Sequence, residues 1–595
     1  MLLVVLFILL VALARAWQWH DAEFYVPYDG DVWMRYLRIF DLVETGNWHN
    51  NLFCRANYPH GDTVPWTRLF DLLILGPAWV LKTFSGFEWR EAIFWSGSWI
   101  SPCLHIVACF GLWRAGRLLG LPKHAAHLAV AGFAAHPLMQ AVFRFGRGDH
   151  HSLFVCLYIL SLGSFLRLLR EPQSWRALLQ LALLLIAGLW VGPEYLSVIF
   201  FCMACLGMLW LHDGAKWVAA LWRLPAVLAC LCLPLVLVEK SPSDFLVAEY
   251  DRISVLHVTL LGLAALMAGI SLVLDRHLAA AFRRWLLAGA QCAVIFIVCN
   301  WLYPRFYLGP YAAFDERMLS FINAEWHEMW PLFRLPASII ASLIVLFVAG
   351  AFGLWVTAQK KENAPSLFFA ALLMAGYAAL TLVAYRWHYY AVPVMLLGAG
   401  LFASCLLEPL FLSGRAAARI AAAVMAAFLL FTVFIHPYDS SFIRNDRNDD
   451  ANPRQACLLG LYYMLQHGGF GDDVDLDDKT VLAPTYVGSR LLYWTDARII
   501  GSTYTRNVDG ILDSWTFFSA RDGEAVRRIL AKRDVDYVLA CPSGAFRSAA
   551  DEGLARALAL SYLEKTAYEP PAFPGFIHMT PSALPQLFRV TKEAL

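Results

Sequence analysis

Phe145-Gly146-Arg147-Gly148-Asp149-His150-His151 stands where one apolar run, Ala125 to Phe143, ends and the next, His151 to Phe165, begins. A carboxylate and two imidazoles at such a boundary are costly to keep, and polar clusters at a membrane usually serve chemistry. Asp149 and His151 are one residue apart, so an extended or turning segment brings both side chains to one place. A carboxylate beside an imidazole suits Mn2+, Mg2+ or Zn2+. The same aspartate also suits the start of the following helix, where it would satisfy free backbone amides.

Outward from this stretch, apolar runs approaching ~20 residues recur through three quarters of the chain. They lie near Met1 to Ala16, Ala92 to Trp113, Ala125 to Phe143, His151 to Phe165, Ala177 to Val191, Tyr195 to Leu211 and Trp217 to Val238. Further runs are Val255 to Leu274, Trp285 to Leu302, Ala337 to Val356, Leu367 to Ala384, Tyr389 to Leu407 and Ala416 to Ile435. That gives about thirteen spans. Composition agrees: 59% hydrophobic and only 16% charged residues, with a mean hydropathy of +0.54, exclude an ordinary soluble protein. A net charge of +1 leaves no footprint for nucleic acid.

Basic clusters orient the spans. Arg114, Arg117 and Lys123, then Arg167, Arg170 and Arg176, then Lys216 and Arg223, fall on alternate loops. Arg276, Arg283 and Arg284, then Lys360 and Lys361, then Arg415 and Arg419 continue the series. By the positive-inside rule these loops are cytoplasmic, which puts Asp31, Asp149, Tyr303 to Leu335, Arg386 and everything after Ile435 outside a multi-pass cell (inner) membrane protein. Met1 to Ala16 leads to Ala14-Arg15-Ala16 and resembles a cleavable signal peptide in length, but it lacks a basic leading region.

After Ile435 charges become frequent, so the chain divides into a membrane domain, 1–436, and an extracytoplasmic C-terminal domain, 437–595. Thr480 to Pro484, Arg498 to Ser502 and Asp536 to Cys541 read as strands, and Glu524 to Arg533 as an amphipathic helix, which together make a small α/β unit. Most of the 13 cysteines sit inside apolar spans as small hydrophobes. Cys457 and Cys541 fall outside the membrane and would be free to pair there.

The external loops carry the remaining candidates. The first, Trp17 to about Trp89, holds Asp29-Gly30-Asp31, Asp41 and the turn Tyr58-Pro59-His60-Gly61-Asp62. Asp29 and Asp62 flank glycines and suit turns; Asp31 suits a metal shared with Asp149. The loop after the ninth span holds Phe321-Ile322-Asn323-Ala324-Glu325-Trp326-His327-Glu328, an acid among aromatics. Tyr385-Arg386-Trp387-His388-Tyr389-Tyr390 places an arginine at the outer surface, where it either grips a phosphate or reaches for lipid headgroups.

In this order the four features resemble the catalytic subunit of oligosaccharyltransferases, the membrane enzymes of GT-C type that move a glycan from a polyprenyl carrier to asparagine. The similarity covers the membrane region and is closest to the archaeal members. It implies a GT-C α-helical polytopic fold of about thirteen transmembrane helices with a small external α/β domain, and a divalent cation, Mn2+ or Mg2+, held by Asp31, Asp149 and His151. It implies that Glu325 contacts the acceptor together with Asp31, and that Arg386 holds the donor pyrophosphate. Tyr58-Pro59-His60-Gly61 looks like the family's Tyr-Pro-x-Gly turn, and His60 and Arg147 join Arg386 as candidates for substrate binding. The family's Trp-Trp-Asp-Tyr-Gly string, which reads the Ser or Thr of the acceptor sequon, is missing. The nearest fragment is Tyr493-Trp494-Thr495-Asp496.

The expected function is therefore metal-assisted transfer of a glycan from a polyprenyl-(pyro)phosphate carrier to an external protein, lipid or polysaccharide acceptor. A transferase that modifies a lipid or cell-envelope polysaccharide is the nearest alternative. A transporter or flippase of lipid-linked sugars is the other class. It would place its ionisable residues near the midplane and show repeated halves, whereas here they gather in external loops and no repeat is evident.

Overall fold

The computed structural model describes residues 1–22, 30–278, 280–359, 363–412, 457, 461, 474–504, 506–520, 522–541, 557, 562–565 and 585–594. The expected span Ala416 to Ile435, Asp29 and the expected domain boundary after Ile435 lie outside them. Among the described residues, nine helices are long and apolar enough to cross a membrane, and Leu2–Ala14 and Trp175–Val191 are shorter apolar helices. The protein is a multi-pass membrane protein.

The chain begins with α1 (Leu2–Ala22) and α2 (Gly30–Thr45), followed by a short hairpin, β1 (Leu52–Phe53) with β2 (Asp62–Thr63), and α3 (Arg68–Ser85). The long first loop read from the sequence is thus largely helical. Its helices escaped notice because α2 carries Asp31, Arg35, Arg38 and Asp41 among its apolar residues, which lowers the hydropathy below that of a span. Then come α4 (Trp89–Leu119), α5 (Lys123–Ala135), α6 (Pro137–Val142), α7 (His151–Arg170), α8 (Trp175–Val191), α9 (Leu196–Asp213), α10 (Ala215–Glu239), α11 (Val255–Leu274) and α12 (Ala281–Leu302). The short α13 (Leu319–Glu325) precedes α14 (Ala337–Ala358), α15 (Ala364–Val383) and α16 (His388–Leu412).

One expected span is broken. Ala125 to Phe143 divides at His136 because Pro137 has no amide to continue the helix and pushes the residue before it out of helical geometry. His136 Nδ1 accepts the Leu138 amide at 3.3 Å and so starts α6 instead. The break turns the chain toward Arg144 and the Arg147–His151 stretch.

In the C-terminal region β3 (Thr480–Leu482), α17 (Thr485–Trp494), β4 (Arg498–Ile499), α18 (Val508–Ser519), α19 (Gly523–Lys532), β5 (Tyr537–Ala540), β6 (Leu563–Lys565) and β7 (Gln586–Val590) follow in order. The sheet runs β4-β3-β5-β7-β6, with β4, β3 and β5 parallel and β7 antiparallel to both its neighbours. The three strands and the helix expected here are present, and Cys457 and Cys541 form a disulfide.

This unit has a core of its own around Leu482, Phe517, Leu530 and Val538. It is also welded to the membrane domain: Val487, Leu491 and Tyr493 belong to the same apolar core as Trp33, Tyr36 and Phe94. Arg55 completes the joint by donating to the carbonyls of Leu492 at 3.1 Å and Thr495 at 2.7 Å, where the carboxyl end of α17 carries its partial negative charge.

Candidate active site

A cavity of about 890 Å3 lies between one end of the membrane helices and the C-terminal sheet. Asp31, Arg147, Asp149, His151 and Arg386 all line it, and so do His150, Glu194 and Glu328.

Asp149 is the centre of the membrane side. His150 Nδ1 lies 2.6 Å from its Oδ1, Arg147 Nη2 3.3 Å from its Oδ2, and His151 Nε2 3.8 Å from the same oxygen. Burial works against the charge of Asp149, but His151, His150 and Arg147 outweigh it and hold the carboxyl well below its usual range. Asp149, His150 and His151 each offer a ligand atom, and these atoms lie within 4.8 Å of one another. The buried His151 Nδ1 makes no hydrogen bond among the described residues. The donor set, one carboxylate and two imidazoles, fits a divalent transition metal. His150 joins it beyond the sequence expectation, which took only Asp149 and His151 from this stretch.

Gly148 exists for packing. A Cβ there would lie 2.7 Å from the hydroxyl of Tyr36, which fills the slot between Gly97 and Gly148. Gly146, at φ +81°, makes the turn before it in a region that an L side chain avoids. The Phe145–His151 stretch is therefore laid against α2, the helix that carries Asp31 in its first turn.

Arg386 pairs with Glu194, and its Nη1 lies 3.6 Å from Glu328 Oε1. Glu328 Oε2 lies 3.7 Å from His151 Nε2, so this acid joins the arginine to the Asp149 cluster. Burial pushes the Glu328 carboxyl above its usual value, against the pull of Arg386 and with the negative charges of Glu194 and Asp149 adding to the rise. The sequence reading chose Glu325 in this loop. Glu325 ends α13, and its side chain lies outside those described. Glu328, in the next short turn of helix, is the acid seen to meet the site.

Behind Asp31 lies a group that sequence reasoning missed. Arg35 and Arg38 of α2 and Arg68 of α3 all surround the buried carboxylate of Asp71, at 2.7, 3.0 and 3.5 Å. The i, i+3 spacing of Arg35 and Arg38 would have shown it, had the segment been read as helix. Arg35 also reaches His150 Nδ1 at 3.4 Å and lies 4.1 Å from the ring centre of Trp66.

His60 does not join these residues. It is exposed and does not line the cavity. Its turn serves the joint between domains instead: Arg533 donates to Asn57 Oδ1 at 3.1 Å and to the Tyr58 carbonyl at 3.0 Å, and the Tyr58 amide donates to the Ile499 carbonyl at 3.0 Å.

No protein-family model matches the chain, and no curated protein matches it in sequence. Solved structures do. The archaeal oligosaccharyltransferase AglB from Archaeoglobus fulgidus, in complex with an inhibitory peptide and a dolichol-phosphate, aligns with a TM-score of 0.70 over 95% of this chain and 72% of that one, at 15% identity. The chain has the oligosaccharyltransferase fold. The Archaeoglobus fulgidus oligosaccharyltransferase tethered to an acceptor peptide containing the NVT sequon gives a TM-score of 0.68 at 14% identity, over 96% of this chain and 74% of that one. Its complex with Zn and sulfate gives 0.61 at 15% identity, over 86% and 64%. This fold, membrane helices with a C-terminal domain, accounts for the meeting of distant segments in one cavity.

Proposed function

We propose that the protein is a membrane glycosyltransferase that moves a glycan from a polyprenyl-(pyro)phosphate carrier to an extracytoplasmic acceptor. One observation carries the reading: Asp149, His151, Arg386 and Glu328 form a continuous chain of polar contacts along one wall of a cavity that Asp31 also lines. The neighbours of the same fold have been captured with dolichol-phosphate, with peptide, and with Zn and sulfate, which supports a lipid-linked donor and a cation site of this kind.

Asp149 and His151, with Asp31 across the cavity, would hold a divalent cation, Mn2+, Mg2+ or Zn2+. When bound, it supplies Lewis-acid neutralisation of the diphosphate that leaves with the lipid. Arg386 donates to the same diphosphate through its planar fork, and Glu194 keeps that fork oriented before the donor arrives. Arg147 adds positive charge on the Asp149 side. Asp31 and Glu325 receive the acceptor nucleophile, as the resemblance implies. Glu328, whose carboxyl favours the protonated form more than an ordinary glutamate, ties the position of His151 to that of Arg386. The C-terminal domain and all these loops stand on the extracytoplasmic face.

Mass spectrometry of membranes with and without the protein tests the reading, by searching peptides, lipids and polysaccharide for a glycan that disappears. An unchanged glycan inventory, together with no consumption of a polyprenyl-pyrophosphate glycan by the purified protein, overturns it.

A further inference from the structure

Arg386 is not an open anion site. Its Nη2 donates to Glu194, and its Nη1 lies 3.6 Å from Glu328 Oε1 and 3.7 Å from Met329 Sδ. Both amino groups already face protein groups, and one guanidinium charge faces two carboxylates. An anion that comes to this arginine must take the place of a carboxylate.

The two acids are seated differently. Glu328 stands in a short turn, His327–Met329, of the loop between α12 and α14. Glu194 lies in a single turn, Pro193–Tyr195, at the entry to α9, where Pro193 fixes the backbone before it. Tyr195 after it is fully buried. Its ring rests against Gly188, where a Cβ would lie 2.3 Å from it, and its hydroxyl shares a hydrogen bond with Ser161 Oγ at 2.8 Å. Ser197 Oγ donates to the Glu194 carbonyl at 2.9 Å. The Glu194 side chain is 11% exposed and makes no other ion pair among the described residues. A carboxylate so withdrawn from water depends on Arg386 for its counter-charge.

A paired arginine binds a ligand more weakly than a free one, because affinity falls with the fraction of molecules in which the arginine is released from its partner. That weakening opposes arrival and helps departure. Transfer of the glycan leaves the diphosphate with a further ionisable oxygen, so the spent carrier bears more negative charge than the donor did. A bare arginine would grip it harder than it gripped the donor.

We propose that Glu194 is the resident counter-ion of Arg386: the carrier's diphosphate displaces it on binding, and it retakes the arginine as the spent carrier leaves. This rests on the glycosyltransferase reading and adds to it a positioning residue, acting through Arg386, whose task is release.

The test measures binding of farnesyl diphosphate, a short-chain stand-in for the spent carrier, to the full-length protein in lipid nanodiscs with Mn2+ present. Glu194→Gln keeps the shape of the side chain and removes its charge. It should bind the probe about tenfold more tightly, with slower dissociation. Asp251 is the matched control, an acid of the cavity lining that pairs with Arg506 instead. Asp251→Asn should change the affinity by less than about twofold. Glu194→Asp, whose carboxylate is one methylene shorter in reach, should tighten binding about threefold and decides the matter if the Gln variant does not fold. A residue that only orients the arginine gives the opposite sign, so weaker binding by the Glu194 variants overturns the proposal, as does an unchanged affinity. Equal tightening by Asp251→Asn also overturns it, since any acid of the lining would then do as much. No binding by either the parental protein or the Glu194 variants overturns the lipid-diphosphate donor, and this inference with it.

Discussion

On the membrane side of the cavity, Asp149, His151, Glu328, Arg386 and Glu194 form a chain of ionisable groups, each in contact with the next. On the domain side, Thr485, Tyr486, Ser502, Thr503 and Tyr504 present hydroxyls without a single charge. The first arrangement is costly and stiff. Charges taken from water survive only when paired, and removing one partner leaves the other uncompensated. The second costs little, because neutral hydroxyls find partners in water or ligand and lose little when one contact is missing. Substitutions should therefore act steeply on the first side and gently on the second.

The steepest expected effect is at Asp149. Asp149→Ala should lower transfer by roughly a hundredfold or more, since it removes the carboxylate on which two histidines and an arginine converge. The protein should still be found in the membrane at its normal level. Transfer assays after chelation and metal add-back check it, and a variant with parental activity would mean the charged side is structural.

Arg386→Lys comes next. A lysine keeps the charge but loses the fork, and a lost charge-assisted contact of ~1.5 to 3 kcal/mol corresponds to a tenfold to hundredfold slower transfer. An arginine that merely reached for lipid headgroups would tolerate the change. Turnover of lipid-pyrophosphate donor at the parental rate would detach Arg386 from the donor.

A smaller effect is expected where the two sides touch. A Cβ at Gly30 would overlap Thr503 Cγ2, so Gly30→Ala should push the Ser502–Tyr504 segment away from Asp31 and slow transfer severalfold. Adding Thr503→Ser removes the offending methyl and should restore most of the rate. If the double variant is no better than the single, the contact between α2 and the wall is not what sets their spacing.

The gentlest test is one of pH. Asp62, buried at the joint and accepting from Ser502 Oγ at 2.7 Å, has its carboxyl raised by burial from 3.8 to about 7. Its neutral form is the one that folding favours. The stability it contributes is thus complete below its ordinary value and is lost as pH rises through about 7. The melting midpoint should fall between about pH 5 and pH 8, and Asp62→Asn should flatten that slope. An unchanged slope would show that Asp62 is not the group responsible.

The same contrast explains what the sequence made readable. Asp149, His151 and Arg386 stood out because a charge beside an apolar run is rare and needs a reason. Helix positions from Val255–Leu274 to Ala337–Ala358 followed from hydropathy alone. Trp66, Tyr504 and Ser502 gave no such signal: aromatic and hydroxyl residues are common in every loop, and only the folded chain brings residue 66 to residue 504. Glu328 went unread beside Glu325 because acids three residues apart at a helix end cannot be told apart by composition. The Arg35, Arg38 and Asp71 group was hidden by reading a helix as a loop. His60 was drawn in by its turn, whose backbone faces the domain joint rather than the cavity.

Strand β4 lies at one end of the C-terminal sheet, and its free side is closed by the first loop: the Ile499 amide donates to the Arg55 carbonyl at 2.8 Å, and the Ile499 carbonyl accepts from Tyr58 at 3.0 Å. Arg55 precedes its partner Thr495 by 440 positions. During synthesis this loop therefore precedes the strand that it covers. Uncovered, β4 has an open edge of the kind that recruits foreign strands. The first loop thus supplies the edge partner of a strand made much later in the chain, so a stretch of the membrane portion guards the C-terminal sheet against mispairing.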